Sequence, residues 1–110
     1  MTDSYDGRRF VTTLGPKRRG EVGMILPHEH MFLDLRTWES PGHGVAEAAG
    51  VVRRVALEIL RARTAGVTAM VEPTTLGVGR RADVLKAASE ATGMPLVAPT
   101  GVYREPWIPP

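Results

Sequence analysis

Two runs of this sequence, GVTAMVEPT at 66–74 and GMPLVAPT at 93–100, repeat one order of residue types. Each begins at a glycine placed to end a helix, passes through apolar β-prone residues, and leaves through Pro-Thr. The two glycines stand 27 residues apart, room for one strand, one loop and one helix. A third apolar run, Met24-Ile25-Leu26, precedes them. Strands separated by helices pair in parallel, so the pattern predicts βα units wound with right-handed crossovers. Folds of this kind keep their chemistry at the carboxyl ends of the strands. Three stretches fall there: LPHEHMFLD at 26–34, EPTT at 72–75 and PTGVY at 99–103.

The rest of the chain fits around these units. RRFVTTLG, PKRRGE and VGMIL read as short extended segments around a turn, a hairpin leading into the histidine stretch. Lys17-Arg18-Arg19, between Pro16 and Gly20, is assigned to that turn. The unbroken run Met24–Leu26 predicts a strand buried on both faces, and Pro27 ends its ladder. From Val45 to Ala65 the apolar residues Val52, Val55, Ala56 and Ile59 follow a helical period, and Gly66 stops the helix. A second helix spans Ala82 to Thr92, with Gly93 as its cap. Val52, Ala56, Ile59, Val84, Leu85 and Ala88 are expected to face the strands, and LVAPTGVY is the third strand-like run.

Composition removes several function classes. The chain has no cysteine, which excludes disulfides, Cys-based zinc sites and iron–sulfur clusters and fits a cytoplasmic protein. Lys+Arg 14 against Asp+Glu 12 leaves a net charge of +2, and the arginines are scattered, so neither nucleic acid nor an anionic membrane is expected as a partner. MTDSYDGRRF lacks the apolar core of a signal peptide, and no run reaches the roughly 18 apolar residues of a membrane span. One domain over 1–110 is expected, with no second domain.

The chemistry concentrates at His28 and His30. Residues two apart on a strand point to one side, so the two imidazoles would supply half of a tetrahedral metal site. The plainer alternative makes them polar strand-end residues bonded to water or carbonyls. His43, in a Gly/Pro loop, is an available third ligand or a solvated side chain. Glu72, at the end of the second strand of the repeat, is a candidate to orient a ligating imidazole, or else an exposed or Arg-paired carboxylate. Tyr103 could line a pocket and offer its hydroxyl to a substrate. GVGRRA at 77–82 fits a loose dinucleotide pattern, but it stands too far from the strand and lacks the acidic partner, so its glycines are expected to turn the chain. No Ser-His-Asp set is present.

Four stretches in order, TLGP, LPHEHMFLDLR, AGVTAMVEPTTLGVGRRADVL and SEATGMPLVAPTGVYREPW, give the chain a further likeness. From about Phe10 to Trp107 it resembles the beginning of the phosphotriesterase family, metal-dependent amidohydrolases that include phosphotriesterase-like lactonases. The resemblance implies an α/β fold, the N-terminal segment of a (β/α)₈ barrel: a leading hairpin, then about the first three of eight strands, with two helices. It implies a two-metal centre, zinc foremost with cobalt or manganese as alternatives, for which His28 and His30 match the first-strand ligands. Tyr103 falls where lactonase-like members place an active-site tyrosine. The family's bridging lysine, two further histidines and catalytic aspartate lie on later strands, and neither Lys17 nor Lys86 can play the bridging part. Two readings follow: a fragment of a hydrolase of small-molecule lactone or phosphotriester substrates, or a non-catalytic remnant that binds metal weakly and self-associates through open strand edges.

Overall fold

A computed structural model of the chain describes residues 7–110. The opening MTDSYD, on which the leaderless reading largely rests, lies outside the described residues. Strands β1 (Arg9–Thr12) and β2 (Gly15–Arg18) form an antiparallel hairpin with Phe10 opposite Lys17. A 3-10 turn at Arg19–Glu21 leads into β3 (Met24–Leu26). Then follow α1 (Ala48–Thr64), β4 (Val67–Val71), α2 (Ala82–Thr92) and β5 (Leu96–Val97). The sheet runs β3-β4-β5 with both pairings parallel. Among the described residues no helix is long and apolar enough to cross a membrane.

The core lies between this sheet and the helices. Ile59, Leu85, Ala88, Met94, Leu96 and Met70 form its centre, and complete burial of a side chain such as Leu85 contributes roughly 1.5–3 kcal/mol. Of the residues expected to face the strands, Ile59, Val84, Leu85 and Ala88 are buried. Val52 packs half-buried beside Val55 and Ala62, which continue the stripe that Ala56 was expected to share. Gly93 ends α2 in the left-handed conformation, φ 71°, where a Cβ is costly.

Four local expectations are corrected. The hairpin turn lies at Thr13-Leu14 rather than at Lys17–Arg19. Thr12 closes it, its Oγ1 accepting the Leu14 N–H at 3.1 Å and donating to the Gly15 carbonyl at 2.7 Å. That places Lys17 inside β2. Helix α1 starts at Ala48 instead of Val45, because Arg81 Nη1 bonds the Gly44 and Ala46 carbonyls at 3.4 and 2.8 Å and keeps that segment out of the helix. Strand β5 is only two residues long. Beyond it Pro99 offers no N–H, and the run meets its neighbour again only at the single bridge Leu76–Val102. Finally, β3 is not buried on both faces: Met24 and Ile25 are both exposed, and among the described residues the strand pairs on one edge only.

The outer edge of β5 is not free. Thr13 of the hairpin donates its N–H to the Leu96 carbonyl at 2.8 Å and accepts the Leu96 N–H on its Oγ1 at 3.0 Å. Thr13 is held in turn by Ser89 on α2 and by Lys86 Nζ on its carbonyl. Among the described residues, only the outer edge of β3, of the two outer edges of the parallel sheet, is left without a partner strand.

Candidate metal centre

The chain bends at Pro27 and His28, just past the end of β3. The Glu29 N–H donates to the Val71 carbonyl at 3.0 Å, which prolongs the β3–β4 pairing to the histidines. Met31 turns into the core, while His28 and His30 meet edge to face with ring centroids 5.1 Å apart. The two imidazoles share a cavity of about 290 Å³ with Leu33, Leu35, Pro73, Thr75, Val78 and Tyr103. Three carboxyl-end segments, distant in sequence, therefore build one site.

His30 is oriented from behind. Its Nδ1 lies 2.7 Å from Oγ1 of Thr74, and that hydroxyl donates to the Phe32 carbonyl at 3.1 Å. Glu72, the residue expected to orient an imidazole, stands 3.8 Å from Nδ1, beyond hydrogen-bond reach. It is neither exposed nor Arg-paired: its carboxyl is fully buried and accepts the N–H groups of Met31 at 3.2 Å and Thr74 at 2.6 Å. Glu72 thus ties the histidine segment to the end of β4, and Thr74 makes the contact to the ring. Sequence reasoning missed Thr74; its signal was the Pro-Thr exit that both repeats share.

Other polar residues of this region stand apart. His43 lies with its Nε2 3.3 Å from the Asp34 carbonyl oxygen. Asp34 is committed to its own loop, where the Arg36 guanidinium and then the Gly44 N–H hold its carboxyl well below the usual range. Among the described residues no three His, Asp or Glu side chains converge as a metal set, and the candidate donors that meet here are the two imidazoles. Thr75 Oγ1, on the cavity wall, is a buried hydroxyl oxygen without a partner.

Tyr103 is held in place by its neighbours. Its ring lies 5.2 Å from that of Trp107, and the Arg104 guanidinium sits 5.7 and 5.6 Å from the two rings. Trp107 Nε1 donates to the Leu35 carbonyl at 2.7 Å, fastening the tail to the histidine segment. The glycines of GVGRRA serve this packing. A Cβ on Gly77 would stand 2.0 Å from the Trp107 carbonyl oxygen, and one on Gly79 would stand 3.0 Å from the Asp34 nitrogen. Both glycines have positive φ, so they turn the chain and admit close backbone approach.

Comparison with known proteins agrees with this architecture. The model of the phosphotriesterase family matches residues 8–109. The chain is 31% identical to the aryldialkylphosphatase of Saccharolobus solfataricus over 83 residues, covering 76% of this chain and 26% of that protein. It is likewise 31% identical to the phosphotriesterase homology protein of Mycobacterium tuberculosis, covering 89% of this chain and 30% of that one. The solved organophosphorus hydrolase of Deinococcus radiodurans superposes with a TM-score of 0.70 at 30% identity, over 86% of this chain and 29% of its own. The chain thus spans between a quarter and a third of the length of these relatives, and its fold is a segment of their (β/α)₈ barrel.

Proposed function

We propose, from the premise that this chain belongs to the phosphotriesterase family, that it is the metal-binding N-terminal part of an ester-bond hydrolase. The substrates would be lactones or phosphotriesters. His28 and His30 would hold the divalent ion, zinc foremost, with cobalt or manganese as alternatives. One observation carries the reading: the two imidazoles stand 5.1 Å apart in a single cavity at the carboxyl ends of the strands. Neutral imidazole suits these ions, and two rings supply half of a tetrahedral set. A metal ion there would act as a Lewis acid toward the ester. The chain's own residues supply the surroundings: Leu33, Leu35, Pro73 and Val78 give apolar walls for the substrate's hydrocarbon part. Tyr103 offers its phenol at the rim. The cysteine-free composition supports a cytoplasmic setting.

Zinc titration by calorimetry into the parent and into His28→Ala/His30→Ala tests the assignment. The parent should bind weakly, far below a closed four-ligand site, and the double variant should not bind. Equal heats from both chains would remove the metal role from these residues. A second reading, metal binding without turnover, has its own support: among the described residues only these two imidazoles converge.

A further inference from the structure

We infer that Thr74 is a positioning residue that fixes the tautomer of His30, holding the proton on Nδ1 and leaving the Nε2 lone pair free. The Thr74 hydroxyl has one hydrogen and two neighbours, His30 Nδ1 at 2.7 Å and the Phe32 carbonyl oxygen at 3.1 Å. A carbonyl oxygen can only accept. The hydroxyl hydrogen therefore belongs to Phe32, and the other contact is satisfied only when Nδ1–H donates to Oγ1. With the hydrogen turned toward Nδ1 instead, the Phe32 carbonyl would lose this bond. Glu72 Oε1, an acceptor 3.8 Å from Nδ1, favours the same arrangement.

The hydroxyl cannot easily move away from this position. Thr74 is 1% exposed, and its N–H is anchored on Glu72 Oε1 at 2.6 Å. A chain of contacts thus runs from the buried carboxyl through Thr74 to one specific ring nitrogen. Among the described residues His28 has no comparable hydrogen-bonded support: its ring contact is with His30. The two histidines are therefore unequal. His30 is set by the end of β4, and His28 is left to adjust. The tautomer stands on hydrogen bonding alone; its use in presenting Nε2 to an ion rests on the metal reading above.

The test is a long-range ¹H–¹⁵N correlation spectrum of the metal-free, ¹⁵N-histidine-labelled chain at about pH 8.5, where an unperturbed imidazole is neutral. His28→Gln and His43→Gln assign the signals. His30 should show the Nδ1–H pattern, the minor form of free histidine, and Thr74→Ser should keep it. Thr74→Val should lose it, and zinc affinity should fall roughly 10- to 100-fold with it. An Nε2–H pattern for His30 in the parent overturns the inference without any variant. So does a Thr74→Val chain, shown folded by its amide spectrum, that retains the parental pattern. Parental Nδ1–H with no zinc response would defeat the metal reading and leave the tautomer assignment standing.

Discussion

The backbone N–H of Met31 donates to Oε2 of Glu72 at 3.2 Å, across 41 residues of sequence, while Oε1 of the same buried carboxyl accepts from Thr74. This carboxyl is the clamp between the histidine segment and β4. Glu72→Ala would leave two buried amides without acceptors, at roughly 1–3 kcal/mol each, for a total loss of about 4 kcal/mol. Urea unfolding of parent and variant measures it. A loss under about 1 kcal/mol would mean that water replaces the carboxyl at little cost.

Gly77 governs the other wall of the cavity. With φ at 97° and the Trp107 carbonyl oxygen 2.0 Å from any Cβ, Gly77→Ala cannot be absorbed locally. The tail around Trp107 should swing away and take Tyr103 off the histidine cavity, with a loss of roughly 1–3 kcal/mol. Near-ultraviolet circular dichroism reports the coupled Tyr103 and Trp107 rings. An unchanged aromatic spectrum in the variant would show that the close approach is not required.

Acid should loosen the loop that follows the histidines. The Asp34 carboxyl is held well below its ordinary value of 3.8, first by Arg36 and then by the Gly44 N–H. A depressed folded-state pKa means that the unfolded chain binds the proton more readily. The stabilisation is therefore complete above about pH 4 and falls away as the pH drops through the folded-state value. Urea midpoints followed from pH 5 to pH 2 should fall more steeply for the parent than for Asp34→Asn. Parallel curves would remove Asp34 from the acid response.

The open edge of β3 should make the chain self-associate. Met24 and Ile25 are 55% and 39% exposed beside backbone that no strand among the described residues pairs, a template for another strand. Sedimentation velocity should show association that grows with concentration, and Ile25→Lys should shift it toward monomer. A parent that stays monomeric at high concentration would show that the edge is protected. The edge of β5 should not contribute, because Thr13 occupies it.

Turnover by this chain alone should not exceed that of free metal ion. Two imidazoles among the described residues cannot fill the coordination of a two-ion centre. The assay pairs the purified chain with zinc, cobalt or manganese on a lactone and on a phosphotriester. Metal-dependent hydrolysis abolished by His28→Ala would show that first-strand ligands suffice.

What the sequence determined by itself was whatever depends on neighbours in the chain. Helix α2 begins and ends at the residues its period and Gly93 announce, because helical hydrogen bonds close within a few residues. The parallel order of β3, β4 and β5 was legible for a related reason, since strands alternating with helices leave little other choice. The histidine pair could be read from a spacing of two. The tertiary structure decided everything that pairs distant groups. The start of α1 was set by Arg81 reaching Ala46, and the outer edge of β5 was closed by Thr13 taking both backbone groups of Leu96. The residue behind His30 could not be chosen from sequence either: Glu72 and Thr74 both follow β4, and only the packed backbone assigns the carboxyl to two amides and the hydroxyl to the ring. Buried polar groups must find partners, and which partner each finds depends on ångström-scale positions that folding alone sets.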